Sequence, residues 1–209
     1  MIKNIIWDFD GTICDTYPLM VNAFIKALKS ENKEVSYEKV YNLLKESSKK
    51  AFEVLDLDES FRKKWKSIEY KMDKKQAPLY DNVLKCIKYM NKNKGNNYII
   101  THRNKTTYDF LKYHNIEKFF KDILTIEDAN FRKPNEDMFN TLIKRNNIDV
   151  NKTLSVGDRI LDMIPSKKVG LKTCLFNKQK NKIDINLDYT IKDYKTLLKI
   201  LKEKNEKIL

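Results

Sequence analysis

Residues 2–15, IKNIIWDFDGTICD, hold a short apolar run that ends at two carboxylates, a glycine and a hydroxyl. Bulky side chains bounded by turn residues are typical of a strand buried on both faces of a parallel sheet. Asp8 and Asp10 follow that strand two residues apart, so both point to the same side. Open α/β sheets bind ligands at this edge. Gly11 allows a sharp turn there, and we expect its amide and that of Thr12 to face an anion.

The two carboxylates need a partner, because like charges this close repel each other. A cation, a shared proton, or both would relieve the repulsion. The alternative interpretation is that Asp-Phe-Asp-Gly is an ordinary polar turn after a strand. Three downstream segments favour a site, since each places polar groups at the end of its own apolar run.

The composition limits the class of protein. A chain of 209 residues can hold one domain with a small inserted one. Its 42 basic and 29 acidic residues give a formal charge of +13, as in proteins that bind nucleic acid, anionic surfaces or small anions. Arginine is scarce, however, and Lys accompanies abundant Asn and Ile, all encoded by A/T-rich codons. We therefore interpret most lysines as solvated helix faces.

Cysteine usage and hydropathy predict a cytoplasmic protein without a membrane span. Cys14, Cys86 and Cys174 have no metal-like spacing and fit a reducing compartment. No apolar run approaches the roughly 18 to 20 residues of a membrane helix. Asp8 interrupts the N-terminal apolar run before it resembles a secretory signal.

Two kinds of pattern follow the first strand. Residues 16–77 carry only helical periodicity, with Thr16 and Ser36 as expected N-caps. From residue 78 onward, short strands alternate with helices, as in right-handed βαβ units. The sequence therefore predicts an α/β core with a mainly parallel, Rossmann-like sheet, formed by residues 1–15 and 78–209. Residues 16–77 are predicted to form an inserted all-α subdomain.

The later strand ends supply further polar groups. Thr101 ends the second strand, so its hydroxyl and the amide of His102 can bind an anionic oxygen. Lys133 precedes Pro134 in a loop that would hold the lysine ammonium group over the strand ends. Asp158 follows another strand and Asp162 lies one helical turn later. In isolation, Thr101 is better explained as a cap or strand-end residue, Lys133 can be a surface charge and the aspartates can be helix caps. A third carboxylate near Asp8 and Asp10 nevertheless predicts a site for a hard cation such as Mg²⁺.

In order and spacing, these segments resemble the four motifs of the haloacid dehalogenase superfamily. The inserted helices resemble that family's first type of cap, as in phosphoglycolate phosphatase-like and β-phosphoglucomutase-like members. Residues 130–132, Asn-Phe-Arg, depart from the usual small or glycine-containing approach to the third motif. The matching residues are Asp8-Phe9-Asp10-Gly11-Thr12, Thr101, Lys133-Pro134, and Gly157-Asp158 with Asp162.

The resemblance implies a role for each matching residue. Asp8 would be the nucleophile that becomes an aspartyl-phosphate, and Asp10 the general acid and then the base. Thr101 and Lys133 would bind the transferring phosphoryl group. Mg²⁺ would be held by Asp8, Asp10 and Asp158, with Asp162 close to the metal or to Lys133. The predicted substrate-binding residues are Gly11, Thr12, His102 and Arg103 in the core, and Ser47 and Lys49 in an expected cap loop, residues 45–50.

The resemblance further implies a Mg²⁺-dependent phosphatase of a small phosphorylated metabolite, such as phosphoglycolate or a sugar phosphate. The family's dehalogenases lack a carboxylate at the position of Asp10, which favours phosphate chemistry. A phosphomutase of the β-phosphoglucomutase type remains an alternative. A basic nucleic-acid-binding protein is a further one, although the lysines form no stripe with aromatics. We expect a small phosphorylated substrate, no nucleic acid or membrane partner, and a monomer or homodimer.

Overall fold

The fold is seen in a computed structural model that describes residues 1–128, 132–177 and 185–206. Within these ranges, six strands form one sheet in the order β3-β2-β1-β4-β5-β6. Every neighbouring pair is parallel. The predicted α/β class with a parallel, Rossmann-like sheet is therefore confirmed. The strands are β1 (Asn4–Trp7), β2 (Asn96–Ile100), β3 (Asp122–Leu124), β4 (Thr153–Gly157), β5 (Lys172–Phe176) and β6 (Tyr189–Ile191).

Helices connect the strands and also form a separate block between β1 and β2. That block holds α1 (Tyr17–Lys29), α2 (Tyr37–Glu46), α3 (Ser48–Val54) and α4 (Glu59–Lys71). The remaining helices are α5 (Val83–Lys92), α6 (Thr107–Tyr113), α7 (Asp137–Asn146), α8 (Ile160–Lys168) and α9 (Tyr194–Glu206). No helix among the described residues is both long and apolar enough to cross a membrane.

The sheet brings the predicted strand ends to one edge. β1 is fully buried and lies between β2 and β4, with Trp7 opposite Ile99 on one side and Val156 on the other. The chain passes from β1 to β2 and β3 on one side, and then returns to β4 on the other. This reversal beside β1 is a topological switch point, where open α/β sheets bind ligands. The residues that follow Trp7, Ile100 and Gly157 therefore meet at this edge.

The chain divides into two compact units. One comprises Met1–Cys14 and Leu79–Leu209, and the other comprises Asp15–Pro78. The predicted core was 1–15 and 78–209, with 16–77 inserted. Within the first unit, Cys14 forms an antiparallel bridge with Leu79, so the chain leaves and re-enters that unit at one point.

The helical unit has its own aromatic core. The Phe24 ring lies 5.0 Å from the rings of both Phe61 and Trp65, and 6.1 Å from that of Phe52, in edge-to-face arrangements. Such pairs add to the free energy gained from burying the rings. Trp65 also donates its indole N–H to the carbonyl of Met20 on α1 at 3.1 Å. These contacts explain how short helices with modest propensity hold together as one unit.

The helix caps were predicted with mixed success. Ser36 caps α2, because its hydroxyl accepts from the amide of Lys39 at 3.3 Å. Thr16 precedes α1 as predicted, but its side chain makes no capping hydrogen bond. Its backbone is already helical, with φ −85° and ψ −15°, whereas a capping side chain needs an extended backbone to reach the next turn. Asn130 and Phe131, in the unusual approach to Lys133, lie outside the described residues.

Candidate active site

A buried lysine connects the first, second and fourth segments of the site. Lys133 Nζ donates to Asp8 Oδ1 at 2.7 Å, to Asp162 Oδ1 at 2.8 Å, and to the carbonyl of Ile100 at 2.9 Å. The side chains of all three charged residues are at most 2% exposed. Because an ammonium has three N–H donors, this lysine is fully satisfied in the position it occupies.

Three carboxylates lie together here, and two of them contact this ammonium group. Asp8, Asp158 and Asp162 are all buried, and each offers an oxygen within 4.8 Å of the others. The hydroxyl of Thr12 lies 3.4 Å from both Asp8 Oδ2 and Asp158 Oδ1. The structure thus brings together the ends of β1 and β4, as the order of the strands predicts.

The fourth segment is shaped by a glycine and a helix start. Asp162 lies in the first turn of α8, and its Oδ2 accepts from the amide of Arg159 at 3.2 Å. A Cβ at position 157 would lie 2.6 Å from Cβ of Asp162, so only glycine fits there. This close approach lets the strand end and the helix place their carboxylates side by side.

Burial and charge perturb the ionisation of this cluster. Burial, followed by the charges of Asp162 and Asp158, raises the pKa of Asp8 to about 7 despite the opposing effect of Lys133. Burial also acts to raise the pKa of Asp162, but Lys133 and Arg159 outweigh it and hold that pKa below its usual range. The pKa of Lys133 is raised, because Asp162 and Asp8 outweigh the effect of its burial. Of Asp8 and Asp162, Asp8 is therefore the one whose ionised form is disfavoured, chiefly by its burial.

Asp10 lies apart from this cluster and pairs with Arg103. The guanidinium Nε donates to Asp10 Oδ1 at 2.9 Å, and Nη2 lies 2.8 Å from the same oxygen. Arg103 is buried and lies over the ring of Phe110, with its Cζ 4.9 Å from the centroid. The sequence predicts that Arg103 binds substrate, whereas in the structure its guanidinium group is paired with the carboxylate of Asp10.

The second segment organises the loops around it. Thr101 is fully buried, and its hydroxyl accepts from the amide of Arg103 at 3.0 Å. His102 Nε2 accepts from the amide of Lys133 at 2.8 Å. Burial, followed by the charges of Lys133 and Arg159, lowers the pKa of His102 to about 3. The imidazole is therefore neutral at physiological pH, and it supports the Lys133 loop instead of offering a charge to a substrate.

The turn after β1 differs from the prediction. Gly11 has the expected positive φ, 76°, but its amide donates to the carbonyl of Cys14 at 2.8 Å. The amide of Thr12 is directed at the carbonyl of Phe9, at 3.3 Å. Both amides close the turn on itself, so the prediction that they face an anion is wrong for this conformation.

The predicted cap loop is largely helical. α2 ends at Glu46 and α3 begins at Ser48, so Ser47 alone joins them. The hydroxyl of Ser47 accepts from the amide of Lys50 at 3.0 Å, and thereby caps α3. Lys49 is on α3, with its Nζ 3.7 Å from Glu53. Residues 45–50 are not a loop, and substrate contacts of Ser47 and Lys49 remain predictions.

Sequence reasoning missed Arg159. Its Nε lies 3.9 Å from Asp158 Oδ1 and 3.8 Å from Asp162 Oδ2, and its side chain is 15% exposed. A single basic residue between two motif positions looks like a surface charge in the sequence. Only its position between the two carboxylates could have distinguished it.

The donor set fits a hard divalent cation. Asp8 and Asp158 are buried at the sheet edge and offer carboxylate oxygens within 4.8 Å of each other, and Mg²⁺ prefers oxygen ligands. Lys133 and Arg159 supply two positive charges beside three buried carboxylates, and burial together with the charges of Asp162 and Asp158 raises the pKa of Asp8. Asp162 is engaged by Lys133 and the Arg159 amide, so Asp8 and Asp158 are better placed than Asp162 to hold the ion.

Comparisons with known proteins place the chain in a family. A family profile described as haloacid dehalogenase-like hydrolase matches residues 5–176. A glyceraldehyde 3-phosphate phosphatase of Pyrococcus abyssi is 28% identical over 197 residues, which cover 84% of this chain and 82% of the relative. Pyrophosphatase PpaX of Oceanobacillus iheyensis is 23% identical, with 96% of this chain and 97% of the relative covered. A haloacid dehalogenase superfamily hydrolase of subfamily IA from Geobacter sulfurreducens superposes with a TM-score of 0.76 at 14% identity, covering 96% of this chain and all of that one.

The profile match covers most of the chain, from Ile5 in β1 to Phe176 at the end of β5. The chain therefore belongs to the haloacid dehalogenase-like hydrolase family, and the prediction that it is a hydrolase of this kind is confirmed.

Proposed function

We propose that this hydrolase is a Mg²⁺-dependent phosphatase of a small phosphorylated metabolite, acting through an aspartyl-phosphate on Asp8. The observation that carries the proposal is the buried ammonium of Lys133 shared by Asp8 and Asp162, with Asp158 alongside, at the switch point of the sheet. A lysine held beside a nucleophilic carboxylate supplies the positive charge that a transferring phosphoryl group needs.

The first half-reaction transfers the phosphoryl group to the protein. A carboxylate oxygen of Asp8 attacks phosphorus, the P–O bond to the leaving group breaks, and Asp10 gives that leaving oxygen a proton. Lys133 holds Asp8 in one orientation through Oδ1. Arg103 fixes the Asp10 carboxylate in the arrangement described above and must allow it to turn toward the leaving group.

The second half-reaction returns Asp8 to its starting state. Asp10 takes a proton from water, whose oxygen attacks phosphorus, and the bond from phosphorus to Asp8 breaks to release inorganic phosphate. Asp8, Asp158 and the carbonyl of Asp10 would hold Mg²⁺, which when bound neutralises charge on the phosphoryl oxygens. A carboxylate at position 10 supports phosphate chemistry over dehalogenation, because a leaving alkoxide needs a proton from a general acid and a leaving halide does not.

The names of the relatives support a substrate class. One relative is named for a triose phosphate and the other for pyrophosphate, so a small anionic phosphate compound is the proposed substrate. Phosphoglycolate and sugar phosphates are the first candidates. A small phosphorylated molecule is the only partner we propose, and the buried thiols of Cys14, Cys86 and Cys174 support a cytoplasmic location.

The test is release of inorganic phosphate from a panel of substrates. The panel includes phosphoglycolate, glyceraldehyde 3-phosphate, hexose phosphates, pyrophosphate and p-nitrophenyl phosphate, each with Mg²⁺ or with EDTA. We expect hydrolysis with Mg²⁺ that is lost in Asp8→Asn and retained in Asp109→Asn, an exposed aspartate on α6. Hydrolysis that persists in EDTA or in Asp8→Asn would refute the proposal. Turnover that requires a bisphosphate activator would instead indicate a mutase.

A further inference from the structure

The last helix reaches the turn that follows β1. Tyr194 begins α9 and is buried, with its ring 6.0 Å from that of Trp7 and 4.7 Å from that of Phe176. These contacts hold the ring against β1 and β5. The phenol group therefore has little freedom to move, and its direction is set by the packing of the core.

The Tyr194 hydroxyl donates a hydrogen bond to the carbonyl oxygen of Thr12 at 2.6 Å. The two residues are 182 positions apart, so the contact exists only in the folded core. The pKa of this phenol is well above its usual range, chiefly because the group is buried, so the hydroxyl keeps its proton and remains a donor. The bond anchors the turn at the residue that lies between the site's carboxylates.

Thr12 links this anchored turn to the carboxylates of Asp8 and Asp158. Its hydroxyl lies at the same distance, 3.4 Å, from Asp8 Oδ2 and from Asp158 Oδ1. Thr12 is fully buried and β-branched, so its side chain follows its backbone closely. A displacement of the Thr12 backbone would therefore move the hydroxyl relative to both acids.

We propose that Tyr194 is a positioning residue that acts through Thr12 to set the separation of Asp8 and Asp158 for binding Mg²⁺. The inference rests on the proposed function in taking Mg²⁺ as the ion. Its physical basis is that residues behind a metal's ligands fix their orientation, and losing one commonly weakens metal affinity by about 10-fold or more.

The test removes only the hydroxyl. Tyr194→Phe keeps the packed ring, and Mg²⁺ affinity is measured by calorimetry, without substrate. We expect about 10-fold weaker Mg²⁺ binding, and in turnover a higher Mg²⁺ requirement with unchanged KM for substrate at saturating Mg²⁺. Tyr98→Phe is the matched control, because Tyr98 is equally buried but lies on β2 away from this turn.

A second variant separates positioning from general stability. Thr12→Val removes the bridging hydroxyl at nearly constant shape, and Tyr194→Phe in that background should cause little further loss of Mg²⁺ affinity. Equal affinity of wild type and Tyr194→Phe would overturn the inference, even if the variant melted earlier. Full additivity with Thr12→Val would overturn it as well. A wild type that binds no Mg²⁺ would instead remove the proposed function and this inference with it.

Discussion

Replacing Lys133 by Met tests whether the buried ammonium holds the site together. Methionine has nearly the same length and is apolar, so the change removes the charge and three hydrogen bonds while largely keeping the volume. Asp8 and Asp162 would then face each other in a buried space without their shared cation. We expect the metal-free variant to be strongly destabilised at pH 8.

The magnitude follows from the geometry. Removing one partner of a buried ion pair costs about 3–5 kcal/mol, and here one ammonium serves two carboxylates that are each 2% exposed. We therefore expect about 4–5 kcal/mol, which for a chain of this length lowers the melting temperature by roughly 8–20 °C. Without Lys133, the folded-state pKa of Asp8, already raised to about 7, loses a cation that holds it down, and the pKa of Asp162 loses the main charge that keeps it below the unfolded value of 3.8. Ionisation then costs free energy that accumulates as the pH rises, so the loss should be much smaller at pH 4 than at pH 8.

The assay is thermal unfolding in EDTA, followed by circular dichroism at pH 4 and pH 8. Lys152→Met is the control, since Lys152 is exposed and pairs only at the surface with Asp149, and it should change little. The double variant Asp8→Asn with Lys133→Met should recover part of the loss at pH 8. A loss for Lys133→Met below about 1 kcal/mol, or one of equal size at both pH values, would refute the account.

Three further predictions address single residues. In EDTA, Asp8→Asn should gain stability relative to wild type as the pH rises from 4 to 7. The reason is that a folded-state pKa raised to about 7 makes ionisation of Asp8 cost up to about 4 kcal/mol in the folded wild type. A difference in melting temperature between the two proteins that stays constant across this pH range would contradict the prediction. Arg103→Lys should lower kcat by about 10- to 100-fold with little change in KM, since lysine cannot replace the guanidinium contacts to Asp10. Steady-state kinetics that show a change in KM alone would indicate that Arg103 binds the substrate instead. Phe24→Ala should destabilise the helical unit by about 3–5 kcal/mol, measured as early loss of helical dichroism, whereas Tyr70→Ala at a 60% exposed position should not.

The fold was predictable because its signals are local. Each strand is a short apolar run that ends in turn residues, and each helix shows its period, so the alternation after residue 78 is visible in the sequence. The meeting of Asp8 and Asp158 also follows, since parallel strands place their carboxyl ends at one edge. The boundaries between adjacent helices were harder to predict from the sequence. Ser47 ends one helix and caps the next, and a polar serine-lysine stretch predicts a loop just as well.

The detailed partners in the site were not predictable. Arg103 and Asp10 are 93 residues apart, and nothing in either local pattern assigns one to the other. The Gly11 amide closes its own turn, a choice that depends on the carbonyl of Cys14 and not on residue type. Lys133 was identified only through its place beside Pro134, and the carboxylates that it joins come from separate strands and helices. Such contacts depend on packing distances that periodicity does not encode.

The bridge between Cys14 and Leu79 has a consequence for how such a protein can evolve. Because the chain departs and returns at one point, everything from residue 15 to 78 is equivalent, for the sheet, to a surface loop. Doubling the length of a loop adds only about 0.6 kcal/mol to its closure. Helices can therefore be added, shortened or exchanged there without shifting the register of β1 with β2 and β4. We expect the number and length of helices between residues 15 and 78 to vary more among relatives than the strands of the sheet.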